Sequence, residues 1–109
     1  MPVDLPEPIA AYFAVENGHD TGALARCFAE HAVVRDERQT FKGLADIKQW
    51  KAETKNKYQH TVEPLKAVQD DGETIVTSRL TGNFPGSPIN LKFVFRLEGG
   101  KIASLEIHS

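Results

Sequence analysis

The chain has 109 residues, 40% of them apolar and 26% charged, with a formal net charge of −2. That length supports one domain (residues 1–109) with its own core, without help from disulfides or a metal. The slightly acidic balance excludes a broad nucleic-acid surface, which needs an excess of Lys and Arg, and the single cysteine, Cys27, excludes an internal disulfide and fits a reducing compartment.

Met1-Pro2-Val3-Asp4 has no basic start, and no apolar run follows that is long enough for a signal peptide or a membrane span. A cytoplasmic protein with no membrane partner is the expectation. Pro6 and Pro8 sit where a helix begins, since proline is tolerated in a first turn. Ile9, Tyr12 and Phe13 recur at helical spacing, Glu16 closes the segment, and Asn17-Gly18 supplies a stop. Asp20 is a good N-cap for a second helix, with Leu24, Cys27 and Phe28 along one face. Ala32-Val33-Val34 then reads as a short buried strand, and Arg35-Asp36-Glu37-Arg38 as a turn or strand end. Thr40-Phe41-Lys42 can pair back before Gly43. A third helix carries Leu44, Ile47 and Trp50 on one face and fades into the basic run Lys51–Lys57.

From Tyr58 onward the period changes to two. Tyr58, His60 and Val62 alternate with Gln59, Thr61 and Glu63. Asp70-Asp71-Gly72 signals a turn. Val76, Ser78 and Leu80 alternate with Ile75, Thr77 and Arg79. The stretch Gly82–Pro88 reads as a loop, because glycines and prolines break a strand ladder. Ile89, Leu91, Phe93, Phe95 and Leu97 share one face of the next strand, and Gly99-Gly100 turns the chain into a last strand, Lys101–His108. Three helices followed by a four-strand antiparallel meander, with a short hairpin between helices two and three, predict an α+β fold. If the sheet curves, the space between it and the helices becomes a pocket.

The segments FAEHAVVRD, FKG and ADIKQW, then HTVEPLKAVQDDG and FVFRLEGGKI, resemble the SnoaL-like and ketosteroid-isomerase-like branch of the nuclear transport factor two-like superfamily. The likeness runs from about Ile9 to His108. It implies a cone-shaped α+β barrel, three N-terminal helices packed on a curved, mainly antiparallel sheet, with a deep pocket and a homodimer. Ketosteroid isomerases use a tyrosine on the first helix, an aspartate base after the first strand and a second, protonated acid on a later strand. The resemblance carries the tyrosine to Tyr12 and the base to Asp36. The second acid would fall at or beside Phe93 in NLKFVFRL, where no acid stands, so half of that oxyanion site is missing.

Two readings of Asp36 stand at this point. In a pocket with little water it could take a proton from a carbon beside a carbonyl, with the Tyr12 hydroxyl donating to the developing enolate oxygen. Alternatively it pairs with Arg35 or Arg38 and merely ends a strand. Tyr12 could equally be a core residue whose hydroxyl meets a backbone group. His60 is either a satisfied histidine at the sheet rim or, facing the same cavity as Asp36, half of an acid/base pair. Trp50, Tyr58, Val62, Leu80, Leu91, Phe93 and Phe95 would supply the apolar wall, with Ser78 a minor ligand contact. No metal or cofactor is expected: the four histidines are scattered, and Gly99-Gly100 does not precede a helix. Cys27 reads as a buried small hydrophobe, and Lys48, Lys51, Lys55 and Lys57 as a solvated helix face.

The expected function is binding of a small, mostly apolar or carbonyl-containing ligand in an enclosed pocket. An isomerase, cyclase or lyase with Asp36 as general base is its catalytic form. The rival is a non-catalytic module whose outer sheet face (Gln59, Thr61, Thr77, Arg79, Lys92, Val94 and Arg96) pairs with itself or another protein over a vestigial cavity.

Overall fold

Three helices, a hairpin between the second and third, and a four-strand meander follow one another along the chain. The structure, a computed structural model, describes residues 5–18, 23–36, 38–57 and 60–108. Along the chain come helix α1 (Glu7–Asn17), a one-turn α2 (Leu24–Cys27), strands β1 (Phe28–Asp36) and β2 (Gln39–Lys42), helix α3 (Gly43–Lys57), and strands β3 (His60–Asp70), β4 (Glu73–Gly82), β5 (Ile89–Glu98) and β6 (Lys101–His108). The strands form one six-stranded sheet in the order β2-β1-β6-β5-β4-β3. Among the described residues, only β1 and β6 pair in parallel. This is an α+β fold with a mainly antiparallel sheet. Among the described residues, no helix is long and apolar enough to cross a membrane.

Helix α1 starts where its prolines allow. Pro6 precedes it, and its carbonyl accepts from Ile9 N at 3.0 Å and Ala10 N at 2.9 Å. The helix buries Ile9, Tyr12, Phe13 and Glu16, an i, i+3, i+4, i+7 stripe, against the sheet. At its end the Asn17 side chain acts as a strand partner. Its amide donates to Val62 O at 2.9 Å, and its oxygen accepts from Val62 N at 2.7 Å. The end of α1 is thereby fixed over the start of β3, and this sets the position of Glu16.

The β3–β4 and β5–β6 links are two-residue turns. Asp71 and Gly72 have φ of 51° and 80°, and Gly99 and Gly100 have 61° and 81°. Left-handed backbone at both central positions gives the twist that matches the flanking strands, which is why glycine recurs there.

Two elements differ from the sequence expectation. Alternation predicts a strand only at Ala32–Val34 and places Phe28 on a helix; instead β1 begins at Phe28, and α2 is a single turn. The cause is long-range. β6 pairs with Phe28 through Ile102 and with Val33 through Ser104, and a register shift between them accommodates the exposed Glu30 and His31. In β3, the pairs Pro64↔Ser78 and Lys66↔Thr77 leave Leu65 as an extra residue. This bulge turns Ala67 rather than Lys66 inward. The expected cap Asp20 and the expected wall residue Tyr58 lie outside the described residues.

The core joins the helices to the sheet. Helix α1 packs on β3 and β6, and α3 packs on β1 and β2. Tyr12, Phe13, Phe93 and Phe95 form an aromatic cluster with ring centroids 5.3 to 6.4 Å apart.

Candidate functional site

A cavity of about 910 Å³ is lined by residues from α1, the β1–β2 hairpin, α3 and the inner sheet face. Its apolar side includes Phe41, Trp50, Leu80, Leu91, Phe93 and Ile107. Arg38, Gln39, Glu53, Thr54 and His108 add polar lining, and two further polar groups are fixed by buried neighbours.

The first is Asp36, the last residue of β1. Its strand neighbours are Gln39 and Ile107. The indole N–H of Trp50 donates to Asp36 Oδ2 at 3.0 Å. Trp50 is itself buried and held against Phe41, with ring centroids 5.8 Å apart. A rigid aromatic donor from α3 therefore sets the orientation of the carboxylate.

The second is a buried cluster around Glu16. Lys51 Nζ lies 2.8 Å from both carboxylate oxygens of Glu16 and 3.3 Å from the Tyr12 hydroxyl oxygen. The Tyr12 hydroxyl donates to Glu16 Oε2, and His60 Nε2 lies 2.8 Å from Oε1. The Lys51 ammonium also sits over the Trp50 ring, 4.1 Å from its centroid. Lys51 is 1% exposed. It is not on a solvated helix face as its composition suggests. It stands four residues after Ile47, on the same inward stripe, and the Glu16 carboxylate opposite makes burial of its charge tolerable.

Electrostatics follow from this geometry. Burial alone would raise the Glu16 carboxyl, but the Lys51 charge and hydrogen bonds from His60, Lys51 and Tyr12 outweigh it and hold the group at about 2. Burial, then the Glu16 charge, pushes the Tyr12 phenol well above its ordinary value, so it remains a hydroxyl donor. Burial raises the Cys27 thiol, as suits an unreactive core cysteine.

Because the carboxyl of Glu16 lies below its ordinary value of 4.5 in the folded state, its stabilising contribution is fully present above pH 4.5. It is lost as pH falls through about 2. Denaturant unfolding across that window should show a loss of about 3 kcal/mol from this group. Glu16→Gln should flatten that part of the profile; an unchanged slope would reject the assignment.

Of the residues singled out from the sequence, Asp36, Trp50, His60, Leu80, Leu91 and Phe93 line the cavity. Tyr12, Val62, Ser78 and Phe95 are buried but are not among its lining residues; Phe95 packs under α1 against Tyr12 and Phe13 instead. The Tyr12 hydroxyl is engaged by Glu16 rather than aimed at a ligand. Sequence reasoning missed Glu16 and Lys51. The available signal was an acid on the apolar stripe of one helix and a base on that of another. Among the described residues, no group of His, Cys, Asp and Glu side chains stands where it could hold a metal.

The model of the SnoaL-like domain matches residues 9–105. The chain belongs to the SnoaL-like family. No curated protein matches it by sequence. Among solved structures, this SnoaL-like chain is similar to a Sinorhizobium meliloti protein described as a polyketide cyclase, with 37% identity over 96% of each chain and a TM-score of 0.92. A Catenulispora acidiphila protein of ketosteroid isomerase-like fold, solved in complex with trimethylamine, shares 24% identity over 97% of this chain and 87% of its own, with a TM-score of 0.85. An epoxide hydrolase from Mycobacterium tuberculosis shares the fold at 10% identity, over 94% of this chain and 79% of its own, with a TM-score of 0.75.

Proposed function

We propose that this SnoaL-like chain binds a small, largely apolar carbonyl compound in the cavity and moves a proton on it, as an isomerase, cyclase or lyase does, with Asp36 as general base. One observation carries the reading: a carboxylate beside the apolar wall of a cavity, oriented by the Trp50 indole at 3.0 Å. A base fixed beside the acidic carbon needs no reorganisation at the moment of transfer. The likeness to a protein described as a polyketide cyclase favours ring closure among these reactions. Tyr12 serves in this reading by supporting Glu16, and His60 is the second polar contact. Phe93 stands where the resemblance would place a second acid, so steroid isomerisation is not part of the proposal.

The same proposal has the whole chain, residues 1–109, acting as one cone-shaped domain without a cofactor, in the cytoplasm. It pairs two copies through the outer sheet face. A depression of about 610 Å³ on that face, lined by Val33, Ile75, Lys92, Val94 and Ser104 among others, supports the pairing. It equally serves the rival reading of a non-catalytic interaction module. A strict monomer in sedimentation equilibrium would rule out the pairing.

The catalytic test is deuterium uptake at the α-carbon of 1-tetralone in D₂O, followed by NMR. Asp36→Asn keeps the shape and an acceptor for Trp50, and should lower protein-dependent exchange by about 10²–10⁴-fold while sparing the fold. Exchange equal in the two proteins, or none above buffer with the native chain, would end the reading of Asp36 as base.

A further inference from the structure

The Glu16 cluster holds a histidine with one ring nitrogen engaged and the other without a partner among the described residues. Nε2 of His60 is committed to Glu16 Oε1 at 2.8 Å. Nδ1 has no partner among the described residues. Yet it is not sealed in the core. The one fully buried side-chain atom without a partner among those residues is Ser78 Oγ. His60, with a side chain only 5% exposed, lines the cavity. Its remaining nitrogen is the polar atom this side chain offers to whatever enters.

Which nitrogen carries the proton follows from the neighbours. An ionised carboxylate only accepts hydrogen bonds, so His60 must donate its Nε2–H to Glu16. Lys51 already matches the single negative charge of Glu16 with a positive one. A further buried cation in the same cluster would lack a counter-charge. The neutral imidazole that fits keeps its proton on Nε2 and a lone pair on Nδ1.

We propose that Glu16 locks His60 in the Nε2–H tautomer and so makes Nδ1 a hydrogen-bond acceptor facing the cavity, selecting hydroxylated ligands — phenols, enols or hydroxy-ketones — that donate their O–H to it. This rests on the ligand-binding reading above and adds the chemical class. The apolar body of such a ligand lies against Trp50, Leu91 and Phe93, and its hydroxyl meets His60. A methyl ether of the same shape brings a lone pair to a lone pair and leaves Nδ1 unsatisfied. Glu16 is a positioning residue, and Lys51 keeps it ionised.

Two measurements test this. The first needs no ligand. In the native protein labelled with ¹⁵N-histidine, long-range ¹H–¹⁵N spectra at neutral pH should show His60 as the Nε2–H tautomer. In Glu16→Gln, whose amide can donate or accept, the tautomers should mix. An Nδ1–H or doubly protonated His60 in the native protein overturns the proposal, as does a tautomer unmoved in Glu16→Gln.

The second compares 2-naphthol with 2-methoxynaphthalene by NMR titration, read at the indole N–H signal of Trp50, the only tryptophan in the chain. The naphthol should bind at least about tenfold more tightly. The ratio should fall to about one in His60→Phe. Equal binding to the native protein, or a preference that persists in His60→Phe, overturns the hydroxyl assignment while leaving the cavity as a ligand site. No Trp50 response to either compound overturns both readings.

Discussion

Lys51→Met is expected to destabilise the fold by about 3–5 kcal/mol, measured by urea unfolding at neutral pH. The lysine contributes little apolar packing that methionine could not replace. What is lost is the counter-charge of Glu16, whose side chain is 4% exposed. Without that cation, the carboxylate would either bear an uncompensated charge in the core or take up a proton. The double variant Glu16→Gln/Lys51→Met should therefore recover much of the loss, since a neutral amide can still accept from Tyr12 or His60. A single variant that costs less than about 1 kcal/mol would show that the pair behaves as a surface ion pair. A double variant no better than the single one would mean that packing, not charge, holds α1 to α3.

Phe95→Ala should cost a similar amount, about 3–5 kcal/mol. Its ring is 0% exposed and meets Tyr12 at 5.6 Å and Phe13 at 5.8 Å between centroids. Truncation would open a hole beneath α1 that neither the helix nor the twisted sheet can close. Phe93, two residues earlier on the same face, makes the better contrast. It is also buried, but it lines the cavity, so its removal enlarges a space that solvent or ligand can enter. Phe93→Ala should cost about 3 kcal/mol or less. Thermal and urea unfolding of the two variants check this order, and equal losses would argue that the cavity is closed at Phe93.

The sequence spoke most clearly where structure is local. The alternation along β4 and β5 needs only a solvent-facing side and a core-facing side, and both strands follow it. The Asp71-Gly72 and Gly99-Gly100 turns are likewise set by the conformations those residues tolerate. Phe28 was misread because its strand character comes from β6, more than seventy positions later. The candidate site divides the same way. Asp36 and Trp50 were legible through their places at a strand end and on a helical stripe, but nothing in the sequence announced that one would hold the other. Glu16 and Lys51 were illegible for a physical reason: each alone would be too costly to bury, so each looks like a surface residue until the other is brought beside it. Tyr12 was placed inside, as expected, but its hydroxyl answers to that pair.

The Asn17–Val62 contact has a consequence beyond the position of α1. Strand β3 is the terminal strand of the sheet on its side, and at eleven residues it is a long one. An unpaired border of that length invites another chain to add a strand. Here the border is occupied at Val62 by a side-chain amide, lacks an N–H at Pro64, and is deformed by the bulge at Leu65. Growth of the sheet sideways into fibres or strand-exchanged assemblies is thus discouraged at this margin. The pairing proposed through the broad outer face would, by contrast, close on itself instead of propagating.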